Sequence, residues 1–211
     1  MSGAVGLQVA PEIGQETMRQ ANPFFPLFLL LSLLFSAGPL ASAELAKGED
    51  GFYVTGAATR TKRVLFMTVE VYRATHAMKE IPDPTTTDAV AEANVDKKMT
   101  IRFLRNVDLQ KIIDGIKEGY RRNGWNEMEK VEELFSILKG DLRKNDVFSV
   151  EYQAENETLI AIGGDGRTSS VAGRDFMVAT WSAWFKKIDS PGFSERLIAN
   201  LKSRSGSETK Q

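Results

Sequence analysis

The order in which two periodicities follow each other along the chain restricts its fold more than any other feature. Segments that alternate apolar and polar residues, as strands do, occur at 52–58, 62–73, 99–105 and 146–154, and 157–162 is predicted as a return strand after a turn at Asn156. After the third segment, and again after the last, apolar residues recur at helical spacing in a pair of helices. Strands and helices grouped in this way predict an α+β fold, in which helices cover one side of an antiparallel sheet.

Capping residues mark where several of the helices should begin. Asp108 is predicted to cap the first long helix. Asn126 and Glu129 have the spacing of a capping box and predict the start of the second long helix. Ser190 followed by Pro191 predicts the start of the last helix, because proline is favoured at the first helical position.

The third long helix, predicted over 174–187, carries few polar residues. Such a helix is buried on more than one side. It is therefore either sandwiched between the sheet and a neighbouring helix, or it lines an apolar cavity. Its apolar residues fall at positions 176, 177, 178, 179, 181, 183, 184 and 185.

An apolar run near the N-terminus is predicted to direct export. The run at 24–35 is about 12 residues long and precedes Ala41-Ser42-Ala43, a secretory cleavage pattern. A membrane span needs about 20 apolar residues. We therefore predict a signal peptide over 1–43, with Met18 as an alternative start, and no stable membrane span after cleavage. A retained anchor is the alternative, and the expected location of the cleaved protein is periplasmic or secreted.

The predicted mature chain gives no support for several classes of function. Removing 43 of the 211 residues leaves 168, predicted as one domain over 44–202 and a disordered tail over 203–211. Of the 27 bases and 28 acids, 26 of each remain, whereas a nucleic-acid partner favours a basic excess. The chain has no cysteine and a single histidine, His76. We therefore predict no metal, no cofactor and no nucleic-acid partner.

Positive charge is concentrated where the predicted strand at 62–73 begins. Arg60, Lys62 and Arg63 precede residues that alternate like those of a core strand. One interpretation is a solvated strand end, and the other is an anion site at the mouth of a pocket. If Arg60 has only a structural role, it should pair with an acid such as Glu70 or Asp175.

Three short motifs together resemble the bacterial chalcone isomerase-like family. They are "GAATRTK" at 56–62, "FLRNV" at 103–107 and "GRDF" at 173–176, the last followed by Trp184. The resemblance extends over about residues 51–202. It implies an open-faced β-sandwich, in which a layer of helices covers an antiparallel sheet and an apolar cleft lies between them.

The resemblance also suggests what the cleft does. Plant members are either isomerases, which close a chalcone hydroxyl onto its enone with an arginine, a threonine and tyrosine–asparagine support, or fatty-acid-binding proteins. Arg60 matches the arginine and Thr68 is the candidate for the threonine. Asp108 stands in the tyrosine region, and the asparagine region, "IIDGI" at 112–116, contains no amide.

We therefore expect a non-catalytic protein that binds a small apolar or amphipathic acid, such as a fatty acid. Arg60, Thr68 and Tyr72 are the predicted ligand-binding residues, with the arginine as a bidentate carboxylate clamp. Two alternatives remain open: an intramolecular lyase that acts on a chalcone-like substrate, and a protein-interaction module whose cleft is filled by its own side chains.

Overall fold

A computed structural model describes residues 45–202, so the predicted signal peptide and the predicted tail lie outside the described residues. The elements of the described part, in chain order, are β1 (Tyr53–Val64), β2 (Met67–Met78), α1 (Thr87–Glu92), β3 (Lys97–Phe103), α2 (Leu109–Arg122), α3 (Met128–Leu134), β4 (Val147–Gln153), β5 (Thr158–Gly163), β6 (Thr168–Ala172), α4 (Arg174–Phe185) and α5 (Phe193–Leu197).

The strands form one six-stranded sheet whose spatial order is their order in the chain. Every neighbouring pair is antiparallel. Helix α1 connects β2 to β3, and α2 and α3 connect β3 to β4, so the helical segments interrupt the meander at the predicted places. This arrangement confirms the predicted α+β fold with an antiparallel sheet.

One face of the central strands forms the core. Met99, Ile101 and Phe103 of β3 are buried, whereas Arg102 between them is exposed. The same alternation buries Phe148, Val150 and Tyr152 of β4. A strand covered on one face alternates in this way because successive side chains point to opposite faces.

Helix α4 is buried on more than one side, as predicted. It contacts α1, α2, α5 and β5, so it is sandwiched between other elements and also reaches the sheet. No helix within residues 45–202 is both long and apolar enough to cross a membrane. The buried residues of α4 are Phe176, Met177, Ala179, Thr180, Trp181, Ser182, Trp184 and Phe185.

The prediction of one core strand over 62–73 is wrong. A tight turn at Leu65 and Phe66 separates β1 from β2, and Leu65 adopts a positive φ of 54°. Strand β3 pairs with β2 only over Tyr72–Met78, so the outer half of the hairpin has no third strand beside it. Arg60, Lys62 and Arg63 therefore lie towards the end of β1 rather than at the start of a core strand.

One of the predicted caps is confirmed and two are wrong. The Asp108 carboxylate accepts a hydrogen bond from the Lys111 backbone N–H at 3.0 Å and caps α2. The capping box of Asn126 and Glu129 does not form, because Glu127 occupies the cap position of α3 without a side-chain hydrogen bond. The Asn126 backbone carbonyl instead accepts from the Met128 N–H in a turn.

The last helix also begins later than Ser190-Pro191 predicts. A turn in which the Phe193 N–H donates to the Ser190 carbonyl at 3.1 Å occupies these positions. Gly192 stands at the cap with a φ of 67°, in the left-handed region that glycine adopts without strain. Helix α5 therefore starts at Phe193.

The glycine of the first motif has a packing role. A Cβ atom at Gly56 would lie 2.3 Å from the Arg196 carbonyl oxygen and 2.8 Å from that of Leu197. Strand β1 and the end of α5 can approach this closely only without a side chain at position 56.

Candidate functional site

A cavity of about 260 Å³ lies between the sheet and helices α2 and α4. Its walls are mainly aliphatic and aromatic side chains from β2, β3, β4, α2, α4, the 3₁₀ turn at Phe135–Ile137 and the segment after α4. These apolar lining residues are Val71, Ile101, Phe103, Ile112, Ile116, Phe135, Phe148, Ala183, Trp184 and Ile188.

Charged side chains also line this cavity, and most of them are positive. The five bases exceed the two acids, which gives this set a formal charge of +3. Such an excess creates a positive potential that attracts anions. The bases are Arg60, Lys62, Lys111, Arg122 and Lys187, and the acids are Glu118 and Asp189.

Arg60 is held at the cavity by the register of the hairpin. It pairs with Tyr72 across β1 and β2, so the two side chains share one face of the sheet. The register shifts immediately after Arg60, where Thr61 pairs with Glu70 and Val71 is left over. Such bulges redirect side chains near binding sites. Arg60, Val71 and Tyr72 all line the cavity.

The two terminal nitrogens of Arg60 have different environments. Nη2 donates a hydrogen bond to the Asp189 carboxylate. Nη1 has no hydrogen-bond partner among the described residues. Only 19% of the Arg60 side chain is exposed, and Nη1 itself is buried. A buried donor without a partner is rare and costly in folded proteins. Arg60 therefore offers an unused charged donor at the cavity.

Asp189, and not Glu70 or Asp175, is the acid that pairs with Arg60, which corrects the sequence prediction. Its Oδ1 also lies 3.5 Å from Nη1 of Arg122 on α2. Partial burial raises the pKa of Asp189, but the Arg60 hydrogen bond and the charges of Arg60 and Arg122 outweigh it and hold the pKa below its usual value. Asp189 therefore links β1 to α2 as a carboxylate at neutral pH.

Tyr72 lies beside Arg60, and its ring makes edge contacts with Phe103 and Phe193. Burial raises the pKa of its hydroxyl, against the opposing effects of the Arg60 charge and a hydrogen bond with Trp184. The hydroxyl is therefore neutral at physiological pH and can offer a hydrogen bond to a ligand.

Thr68, the third predicted ligand-binding residue, is not brought to this cavity. It lies in the exposed outer half of the hairpin, where it pairs with Arg63. Two of the three predicted residues, Arg60 and Tyr72, thus line one cavity, and Thr68 lies outside its lining.

Sequence reasoning missed the contribution of α2 to the cavity. Four residues of α2 that line the cavity are spaced four, three and four positions apart, so they share one face of the helix. They are Lys111, Gly115, Glu118 and Arg122. This spacing is visible in the sequence beside the apolar stripe. It could have identified a polar face of α2 that reaches the cavity.

Tyr120 lines the cavity from the same helix, but its hydroxyl is already used. It lies 2.8 Å from Thr180 Oγ1, which donates to the Phe176 carbonyl at 2.7 Å, so Tyr120 is the donor of the first bond. Burial raises the pKa of Tyr120 well above its usual value, despite the bond to Thr180. The lining residues include no threonine and no asparagine.

A second buried polar network surrounds the histidine, apart from the cavity lining. The Trp181 indole N–H donates to His76 Nε2 at 3.0 Å, so that ring nitrogen carries no proton. Nδ1 lies 2.6 Å from Thr55 Oγ1, whose own proton goes to the Leu197 carbonyl at 2.7 Å. Nδ1 therefore carries the proton, and His76 is a neutral imidazole with both nitrogens hydrogen-bonded.

The environment of this histidine resists a positive charge. Burial, together with the charge of Lys97, lowers the pKa of His76 to about 3. Lys97 is itself buried, and its Nζ donates to the carbonyls of Val90 and Ala91 at 3.1 and 2.8 Å and lies 4.8 Å from the Trp181 ring centroid. Burial lowers the pKa of Lys97 to about 7, with a further effect of the Arg174 charge. This network joins β1, β2, β3, α1 and α4.

Within residues 45–202, no three His, Cys, Asp or Glu side chains cluster as metal ligands would. The cavity lining offers an organic ligand three kinds of group: a cationic donor, a neutral phenol and an apolar wall.

We compared the chain with protein families and with solved structures. A family model described as chalcone isomerase-like matches residues 41–191. Among solved structures, a fatty-acid binding protein of Arabidopsis thaliana is similar, with a TM-score of 0.57 and 11% sequence identity over 76% of this chain and 92% of that chain. At such low identity the likeness shows the fold. No curated protein matches the chain.

Proposed function

This chain belongs to the chalcone isomerase-like family, and from that premise we propose that it is a non-catalytic protein that binds a small carboxylic acid with an apolar tail, such as a fatty acid. The observation that carries this proposal is the buried Nη1 of Arg60, a cationic donor that has no hydrogen-bond partner among the described residues and lies at a cavity with mainly apolar walls.

The head of the ligand is inferred from the charges. A carboxylate oxygen that accepts from Arg60 Nη1 would satisfy this donor, and a hydrogen bond to a charged group is worth roughly 1.5–3 kcal/mol. Asp189 already neutralises the Nη2 side of the guanidinium. The remaining bases of the lining, among them Lys111 and Lys187, favour an anionic head over a neutral one.

The tail of the ligand is inferred from the walls. Aliphatic and aromatic side chains bury methylene groups at about 0.8 kcal/mol each. The volume of about 260 Å³ lies just below the range of about 300–1,000 Å³ that is usual for small-molecule sites. We therefore favour a medium-length chain over a long one. The similar Arabidopsis thaliana protein is named for fatty-acid binding, which supports an acyl ligand.

The cavity lining also helps to choose between ligand binding and the two alternatives, an intramolecular lyase and a protein-interaction module. An isomerase of this family would use an arginine, a threonine and tyrosine–asparagine support, whereas the lining contains neither threonine nor asparagine. A cavity of about 260 Å³ argues against a cleft filled by its own side chains. Both observations favour ligand binding without catalysis.

We propose that the protein acts after export, in the periplasm or as a secreted protein. The support is the apolar run and the Ala41-Ser42-Ala43 pattern. N-terminal sequencing of the protein from its native cells should find Glu44 as the first residue. Retention of residues 24–35 would instead indicate an anchored protein.

Paired ligands test the proposed function. Calorimetric titration with decanoic acid and with 1-decanol compares a charged and a neutral head on the same chain. The acid should bind about tenfold or more tightly, because a carboxylate pairs its own charge with that of Arg60, whereas the alcohol offers Nη1 only a neutral hydroxyl oxygen. Equal affinities, or no binding of either ligand, would refute the proposal.

A further inference from the structure

The tip of the β1–β2 hairpin exposes large apolar side chains. Leu65, Phe66 and Met67 are 84%, 94% and 67% exposed. Among the described residues, Val54 at 45% is the other large apolar side chain with substantial exposure, and it lies near the opposite end of β1. Single exposed apolar residues are ordinary, but three consecutive ones at a turn mark an interaction surface.

The hairpin tip extends past the rest of the sheet. Strands β1 and β2 remain paired as far as Val64 and Met67, whereas β3 accompanies β2 only from Tyr72 onwards. The five residues of β2 from Met67 to Val71 therefore have a strand neighbour on one side only. The tip can reach a surface that the rest of the sheet does not touch.

Basic side chains stand directly behind the apolar tip. Lys62 and Arg63 are both exposed, and neither forms an ion pair with another described residue. Glu70, opposite Thr61, is the acid of this part of the hairpin, and Arg60 is committed to Asp189. The surface behind the tip is therefore positive.

We propose that the hairpin tip docks on an anionic lipid membrane, with Leu65, Phe66 and Met67 in the boundary between head groups and acyl chains and with Lys62 and Arg63 at the lipid phosphates. Apolar side chains bordered by bases are the combination that holds peripheral proteins at such surfaces. This docking site adjoins the ligand site, because Lys62 belongs to both. Arg60 also lines the cavity at the base of the same hairpin, so docking would bring the cavity close to the membrane.

A lipid surface fits the tip better than a second copy of the chain. Two tips in contact would bring Lys62 and Arg63 of both copies together, and like charges oppose association. Stable protein interfaces also bury about 1,200–2,000 Å², which three side chains at a turn do not approach. Shallow insertion needs only these few side chains.

Co-sedimentation of the purified protein with vesicles tests the docking site. Phosphatidylcholine vesicles that contain phosphatidylglycerol should bind the protein, and pure phosphatidylcholine vesicles should bind it less. The double variant Leu65→Ser, Phe66→Ser should reduce partitioning at least about tenfold. Arg63→Glu should reduce it at least about fivefold, since each base near an anionic surface contributes about that factor.

Matched substitutions elsewhere control for apolarity and charge. Val54→Ser removes an exposed apolar side chain, and Lys47→Glu reverses an exposed charge, so both should leave vesicle binding unchanged. The proposal would be overturned if the tip variants bound vesicles as well as the wild-type protein does. It would also be overturned if the wild-type protein did not bind vesicles that contain phosphatidylglycerol. A wild-type dimer that the tip variants convert to monomers would identify a second copy as the occupant instead.

Discussion

Replacement of Arg60 by alanine is expected to weaken the binding of decanoic acid about ten- to a hundredfold and to weaken the binding of 1-decanol far less. The buried Nη1 has no hydrogen-bond partner within residues 45–202, so its hydrogen bond is available to a carboxylate. Loss of a charge-assisted hydrogen bond costs roughly 1.5–3 kcal/mol, which corresponds to that range of affinity. Titration calorimetry with both ligands measures the difference.

Two further variants sharpen this result. Arg60→Lys should restore only part of the affinity, because an ammonium group lacks the planar fork of the guanidinium. Arg73→Ala is the matched control, since Arg73 is exposed and follows Tyr72 on β2, so it points to the other face of the sheet.

The unfolding free energy of Arg60→Ala should change little. Asp189 is 57% exposed, and partly exposed ion pairs contribute about 0–1 kcal/mol. Equal losses for acid and alcohol, together with a large loss of stability, would identify Arg60 as a structural ion-pair partner. The proposed ligand site would then lack the residue assigned to bind the carboxylate.

The second large effect is a loss of stability in acid that depends on His76. Its pKa is about 3 in the folded protein and about 6.5 when unfolded, so the unfolded state binds more protons between these values. The contribution of His76 to stability is therefore nearly all present above pH 6.5 and is lost as the pH drops towards 3, by up to about 1.4 kcal/mol per pH unit. Protonation of Nε2 would also break its bond with the Trp181 N–H.

Urea unfolding between pH 6.5 and 5 isolates this contribution, because most carboxylates titrate lower. The wild-type protein should lose about 1.5 kcal/mol over this interval through His76. His76→Gln should be less stable at pH 7, since it disturbs the bonds to Thr55 and Trp181, but it should show a flatter pH dependence. Parallel curves for the two proteins would show that His76 does not resist protonation.

The sequence predicted the central sheet well because local pattern and tertiary burial agree there. Met99, Ile101 and Phe103 alternate in the sequence and face a layer of helices in the structure. Asp108 caps its helix through a contact three residues away, which is equally local. Locality alone does not suffice, however, because the equally local capping box predicted for α3 does not form.

The hairpin could not be predicted in the same way. Leu65 and Met67 continue the alternation of a core strand, and periodicity does not reveal whether another element covers that face. The turn at Leu65-Phe66 also lacks the glycine, proline, asparagine or aspartate that usually marks a turn. The strand was therefore predicted across the position where the chain reverses.

The sequence identifies candidate ligand-binding residues, but not how they come together. Of the three predicted residues, Arg60 and Tyr72 line the cavity, whereas Thr68 lies in the second residue pair from the hairpin turn. The acid that pairs with Arg60 is 129 residues away in the chain, in the segment after α4. A single sequence contains no signal for a contact between such distant positions.

A crystal structure of the protein with decanoic acid tests the central claim most directly. The account predicts the acyl chain inside the cavity, against Ile112, Ile116 and Trp184. One carboxylate oxygen should lie within hydrogen-bond distance of Arg60 Nη1. An acid bound outside the cavity, or one inside it with its carboxylate turned away from Arg60, would contradict the account.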